Sequence, residues 1–272
     1  MATILDRYGI KEVADVTFYE INKDGTPGKP VLYLDTLKVS TIEQTAESTD
    51  ARGGKGNAAL VSWDYGKEIT VTLEDALYSA KSLALMFGDV DEKGVPGDLE
   101  PEVKEGETYS VKKTVWAESV VKVGTGETDA TITINNKNYP LSGCTYYDAS
   151  GADVASPNLE AADEEGNKKP NFAYVTGSLK VTEALKIDVS ANTFPGTYYI
   201  TGDTYARNEA NGVDDFFQFI IPKAKVLSES NTITLEAEGD PTVFSMSLKV
   251  LRPKNGRMME LVQYTLDEAK AE

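Results

Sequence analysis

Histidine is absent from all 272 residues, and cysteine occurs once, at Cys144. Without histidine there is no Ser-His-Asp or Cys-His nucleophilic site, no His-ligated zinc, and not the commonest general base near neutral pH. A glycosidase working with carboxylates alone, or a magnesium enzyme, stays open. A single cysteine excludes an intramolecular disulfide and fits synthesis in a reducing cytoplasm. Cations are scarce as well: 27 Lys+Arg stand against 44 Asp+Glu, a formal net charge of −17. Duplex DNA carries about one negative charge per 1.7 Å, so a chain this acidic is poorly suited to grip it. No apolar run approaches the ~20 residues of a membrane helix. The opening MATILDRYGIKEVADV is interrupted by Asp6, Arg7, Lys11 and Glu12 and does not read as a signal peptide.

What is present is short alternation of apolar and polar residues. Val31–Leu34 reads as a strand after the turn residues Asp24-Gly25-Thr26-Pro27-Gly28. Glu68–Leu73 puts Ile69, Val71 and Leu73 on one face and two threonines on the other. Tyr109–Trp116, Thr131–Ile134, Leu185–Val189, Thr197–Thr201, Asp215–Ile221, Thr232–Ala237 and Val243–Leu251 are further strand candidates. Asn135-Asn136-Lys137-Asn138 is expected to turn a hairpin between two of them. One helix stands out: Ser79 as N-cap, Ala80–Phe87, then Gly88 as the left-handed stop. Leu83, Ala84 and Phe87 would lie on its sheet-covering face. A last helical turn over Leu266–Glu272 is equally readable as a frayed tail. The expected class is mainly β.

Two stretches break the pattern. Residues 36–59 lack apolar periodicity and read as a long loop, a feature that is usually functional or ordered by a partner. The second stretch opens with Gly94, Pro96, Gly97 and Pro101 and closes with the polar run 161–170, which suggests an inserted β module. The expected organisation is 1–90, an insert at 91–178, and 179–272.

The chemical motifs are weak. Gly53-Gly54-Lys55-Gly56 invites a phosphate-loop reading, but no hydroxyl residue follows the lysine and the next element reads as strand, not helix. Asp89, Asp91, Gly94 and Glu100 fall at positions 1, 3, 6 and 12 of a calcium loop. Lys93 occupies a ligand position there, and Pro101 opposes an exiting helix, so an acidic linker is the preferred reading. Carboxylate pairs such as Asp214/Asp215 and Glu164/Glu165 are expected by chance among 44 acids. Cys144 is expected to be inert. Trp63, Trp116, Tyr146, Tyr147, Tyr198 and Tyr199 could line a sugar-binding face, although cross-strand core pairs are the commoner use.

Arg52-Gly53-Gly54-Lys55-Gly56-Asn57, then Lys67–Leu73 and the helix ending in Gly88, together resemble tail tube proteins of bacteriophages that infect Gram-positive hosts. Some of those proteins share an Arg-Gly-Gly-x-Gly-Asn signature before a strand and a helix. Phe216-Phe217-Gln218-Phe219-Ile220-Ile221-Pro222, followed by Asn231–Asp240 and Phe244–Leu251, resembles them too. The resemblance implies a β-sandwich or barrel-like tail-tube core with one short flanking helix, into which a β-rich, Ig-like module is inserted. It implies hexameric rings stacked into a tube around a tape measure protein, with tail terminator and baseplate or tip proteins at the ends. Residues 36–59, with Arg52 to Asn57, would be an assembly loop ordered by the neighbouring subunit. Double-stranded DNA would pass through the lumen without specific binding, and an acidic wall avoids the drag of basic contacts. The expected location is the virion tail, after assembly in the host cytoplasm, with no cofactor, no metal, no catalysis and no membrane insertion.

Two other classes compete. A head decoration or surface-adhesion β module would bind carbohydrate through an aromatic platform on the insert. A carboxylate-only glycoside hydrolase would need two carboxyls about 5–10 Å apart across a groove.

Overall fold

The computed structural model describes residues 7–92, 94–97, 108–126, 128–162, 166–229, 231–235, 237 and 241–266. The chain folds as two compact units, Met1–Leu99 with Ile187–Glu272, and Glu100–Lys186. The seams therefore lie at 99/100 and 186/187, where composition placed them at 90/91 and 178/179. Strands β1 (Tyr8–Ile10), β2 (Asp15–Ile21), β3 (Pro27–Leu34), β4 (Leu37–Gly53) and β5 (Ala58–Asp75) come first, then helix α1 (Ala80–Phe87). The second unit holds β6 (Tyr109–Trp116), β7 (Val120–Val123), β8 (Asp129–Ile134) and β9 (Lys137–Tyr147). It continues with β10 (Ala161–Ala162), β11 (Lys168–Lys169) and β12 (Tyr174–Val181). The first unit resumes with β13 (Thr197–Asn208), β14 (Asp214–Val226), β15 (Thr232–Ile233), β16 (Phe244–Val250) and β17 (Glu260–Tyr264).

In the first unit the strands form one antiparallel sheet, ordered β3-β2-β13-β14-β16-β5-β4, with β1 on β13, β15 on β16 and β17 on β14. Its two outer strands, β3 and β4, are consecutive in the chain and joined only by Asp35-Thr36. A sheet whose ends are tied by two residues has to curl, and one core accordingly collects side chains from both ends. Val16 and Phe18, Leu32 and Leu34, Val71 and Leu73, Ile200, Ile221 and Leu248 all bury into it. Each such apolar side chain contributes about 1.5–3 kcal/mol by leaving water. Thr36 Oγ1 donates to Asp75 Oδ1 at 2.5 Å and fixes the tie.

Helix α1 closes this core. Ser79 and Ser82 exchange side-chain-to-backbone hydrogen bonds at its start, and Gly88 ends it in the left-handed conformation at φ 82°. The buried residues are Ser82, Ala84, Leu85 and Met86, while Leu83 and Phe87 are half-buried against the same core. The expected face of Leu83, Ala84 and Phe87 thus covers the core, and Leu85 and Met86 extend it, because this two-turn helix is apolar over most of its circumference.

The chain leaves and returns to the first unit at one place. A side chain on Gly196 would sit 2.7 Å from Gly94 Cα, and one on Gly94 would sit equally close to Gly196 Cα, so both must be glycine for the two segments to cross. The hydroxyl of buried Tyr198 donates to the Gly94 carbonyl and locks the crossing. Phe18 meets the Tyr198 ring edge-on, with centroids 5.8 Å apart.

The second unit is a five-stranded antiparallel sheet, β6-β12-β9-β8-β7, beside the β10–β11 ribbon. Asn135 and Asn136, both at positive φ, make the two-residue turn between β8 and β9. Ile132, Leu141, Tyr146 and Val175 face its core, where Phe172, Val154 and Leu159 from the 148–173 connection cover them. Among the described residues this connection, rather than a second sheet, supplies the opposing layer.

Three expectations fail on tertiary grounds. Leu185–Val189 alternates like a strand but forms none among the described residues, leaving Leu185 and Val189 exposed. Thr232–Ala237 shrinks to Thr232–Ile233. Residues 36–59 are not a loop but most of a hairpin, because β4 and β5 pair along their whole length. The expected turn at Leu266–Glu272 lies outside the described residues beyond Leu266.

Gly196→Ala is expected to cost about 1–3 kcal/mol in urea unfolding followed by circular dichroism, since it forces backbone apart. Burial also holds the Tyr198 phenol above its ordinary range, and desolvation shifts Tyr33, Tyr199 and Tyr264 the same way. Below about pH 10 folded and unfolded chains both keep these protons. Above it the unfolded chain ionises first, so stability is full below that pH and falls as pH rises. The alkaline drop in the urea midpoint is expected to be smaller for Tyr198→Phe.

Candidate functional site

Strand β5 has two neighbours near its end and one elsewhere. It pairs with β16 from Thr70 to Asp75 only, and with β4 throughout. The buried alternation Ile69, Val71, Leu73 belongs to the first region and the residue next to it, and every residue from Ala58 to Glu68 is exposed. At about 3.3 Å per residue, this free part of the hairpin is roughly 35 Å long.

Its two faces differ in chemistry. Register places Val61 opposite Ala51, Trp63 opposite Thr49 and Tyr65 opposite Glu47. Since side chains alternate along a strand, Val61, Trp63 and Tyr65 form one row, 49%, 55% and 52% exposed. Ser62 and Asp64 face the other way with Asp50 and Ser48. One side of the arm is therefore an aromatic and aliphatic stripe, the other acids and hydroxyls.

All six residues of the glycine motif meet at the tip. Gly54 to Asn57 form the turn, closed by Asn57 N–H donating to Gly54 O at 3.2 Å. Gly54 and Gly56 sit at φ 78° and 90°, and Asn57 at 50°, conformations open to these residue types. Arg52 Nη2 pairs with Asp50 Oδ2 at 2.6 Å, and Lys55 is exposed on the turn. A strand precedes the glycines, but a second strand follows them, so no helix N-terminus is available to hold phosphate.

The remaining candidates disperse. Asp89 accepts a hydrogen bond from Asp188 N–H at 3.0 Å and Asp91 one from Val95 N–H at 2.9 Å, both loop-forming contacts; Glu100 and Lys93 lie outside the described residues. Among the described residues no three His, Cys, Asp or Glu side chains gather as metal ligands. Asp214 binds Arg207 through two bonds of 2.6 Å, whereas Asp215 accepts from Thr265 Oγ1 at 3.0 Å on the opposite face of β14. They are not a facing acid–base pair, and Glu164/Glu165 lie outside the described residues. Burial pushes the half-buried Cys144 thiol up, away from reactivity. Of the aromatics, Tyr146 and Tyr198 are buried in separate cores, Tyr199 packs on Tyr19, and Trp63 lies on the hairpin. No helix among the described residues is long and apolar enough to cross a membrane.

Sequence reasoning marked the tip and missed the stripe. Val61-x-Trp63-x-Tyr65 has the period of a strand, but its β4 partners carry no matching apolar signal.

A second surface concentrates cations. Lys23, Lys223, Arg252 and Lys254 line a groove of about 420 Å³ in the first unit, where Asp24 is the one carboxylate among the lining residues. Hydrogen bonds from Thr26 hold that carboxyl below its usual range.

Replacing Trp63 and Tyr65 by Ser is expected to change monomer stability by no more than about 0.5 kcal/mol each, because neither ring contributes to a core. Urea unfolding of dilute protein checks this; a loss of several kcal/mol would mean that the stripe is already packed within one chain.

Residues 8–263 match the model of the YomU/Tube protein family. No curated protein matches the chain.

Proposed function

The chain belongs to the YomU/Tube protein family of phage tail tube proteins, and from that footing we propose that it assembles into stacked hexameric rings forming the conduit for DNA ejection. The observation that carries the assembly step is the β4–β5 arm, with Val61, Trp63 and Tyr65 exposed along one side. Two-stranded hairpins are marginal in water by themselves, and an apolar row of this length is stabilised by lying against another protein surface. In this reading the arm crosses onto the neighbouring subunit, and the tip from Arg52 to Asn57 makes the furthest contact. Contacts between unlike surfaces that close by rotation generate rings.

Stacking uses a different surface. The groove of Lys23, Lys223, Arg252 and Lys254 is cationic on a chain of net charge −17, so an acidic face of the next ring complements it. The same charge excess suits a lumen wall along which DNA slides, since no counterion-releasing grip forms. The tape measure protein would fill the lumen before DNA, with tail terminator and baseplate or tip proteins capping the tube. The role is structural, in the virion tail, with subunits built in the host cytoplasm.

Negative-stain electron microscopy of concentrated protein, with mass photometry alongside, tests this. Striated tubes or six-fold rings with a central hole are expected from the wild type. The Trp63→Ser, Tyr65→Ser double variant is expected to remain monomeric with an unchanged circular dichroism spectrum. Normal tubes from that variant would remove the stripe from the mechanism, and a stable trimer without a hole would overturn the ring. Tubes are also expected to shorten as ionic strength rises, because the stacking contact is charge-based.

A further inference from the structure

The solvent face of the second unit carries a pattern that the proposed assembly through the arm does not call on. Trp116, Tyr174 and Tyr147 lie directly opposite one another on the adjacent strands β6, β12 and β9. Two residues further along, Thr114, Thr176 and Thr145 are opposite one another in the same way. A residue and its second neighbour share a face. The sheet therefore presents a row of three rings beside a parallel row of three hydroxyls, each stepping about 4.8 Å per strand. The opposite face holds Val115, Val175 and Tyr146, which pack in the core.

The rings are accessible. Trp116 is 69% exposed although it ends a strand, and Tyr174 meets it edge-to-face at 5.9 Å. Tyr147 and Tyr174 lie nearly parallel, 5.1 Å apart. Beside them runs a groove of about 420 Å³ lined by both Lys112 and Lys113, the threonine row and Tyr147, with no acidic residue in the lining. On a chain of net charge −17 this lysine-bearing groove selects for an anion.

We propose that this face binds an acidic polysaccharide. The ring C–H bonds of a sugar meet the exposed face of Trp116, which the stacked Tyr147 and Tyr174 buttress. The threonine hydroxyls exchange hydrogen bonds with the sugar hydroxyls, and Lys112, which shares the face of Thr114 and Trp116, pairs with its carboxylate or phosphate substituents. A row about 10 Å across accommodates a short run of sugar units rather than a single one. A protein partner would favour a continuous apolar centre, whereas here hydroxyls and lysines adjoin the rings throughout. The site is independent of whether tubes form.

The test is a microarray of purified bacterial surface polysaccharides, acidic and neutral, probed with the labelled full-length protein. Retention on acidic glycans is expected, weakening by about tenfold in Trp116→Ala and falling with added salt. Lys112→Ala is a second variant whose exposed side chain leaves the fold unchanged, and it is expected to weaken the acidic preference. Retention on no glycan, or unchanged retention by Trp116→Ala, overturns the proposal. Retention on neutral glycans alone overturns the acidic assignment. A change of oligomeric mass in Trp116→Ala would assign the face to contact between copies instead.

Discussion

Beyond Ile69 the β4–β5 hairpin satisfies its backbone but not its side chains. The ladder runs from Glu68 to Ala58 with two irregularities, near Ala46 and beside Arg52, so hydrogen bonding gives the arm little reason to collapse onto its own sheet. The aromatic stripe has no counterpart within the pairing strand, whose facing residues are Ala51, Thr49 and Glu47. Those two facts set the character of the first unit. Its curled sheet is self-sufficient, tied at β3–β4 and closed by α1, while the arm is a finished backbone awaiting a hydrophobic partner. Separating the two means that assembly does not disturb the core: the strand that ends in Val71 and Leu73 is anchored before its other half is covered.

Charge is distributed with the same economy. The chain is acidic overall, yet its lysines and arginines are not scattered evenly. Six of the 27 line two grooves, one in each unit, around Arg252 and around Lys112. Against a negative background, small cationic surfaces acquire direction, because like charge repels the remainder of any neighbouring copy. The isolated ion pairs elsewhere, such as Arg207–Asp214 and Lys249–Glu68, are exposed and contribute little to stability.

Local chemistry was legible in the sequence wherever one or two residues decide the backbone. Ser79 and Gly88 bound the helix as read, and the Asn135-Asn136 pair turns the hairpin as read. Strands with one buried face, such as Ile69-Val71-Leu73, showed it by alternation. What was illegible shares one cause: exposure on both faces. Thr41 to Ala51 carries no apolar period because nothing there is buried, so a long strand passed for a loop. The converse error occurred at Leu185–Val189, where alternation exists without a neighbouring strand. The family relationship was readable in the glycine tip and the Phe216–Pro222 strand. The ring row was not, because only register decides that Tyr147 faces out while Tyr146 faces in, and that Tyr174 falls between Tyr147 and Trp116.

The crossing of Gly94 and Gly196 has a consequence for how the chain is made. The central strands β13, β14 and β16 follow the second unit in the sequence, while their partners β2 and β5 precede it. A ribosome adding about 5–20 residues per second must traverse that unit before the first sheet gains its middle. For on the order of ten seconds β2 to β5 are therefore nascent edges without their buried partners. The second unit, whose strands pair only with one another, is able to fold during that interval. Synthesis thus delivers the arm early and its rigid base, the β5–β16 pairing, late.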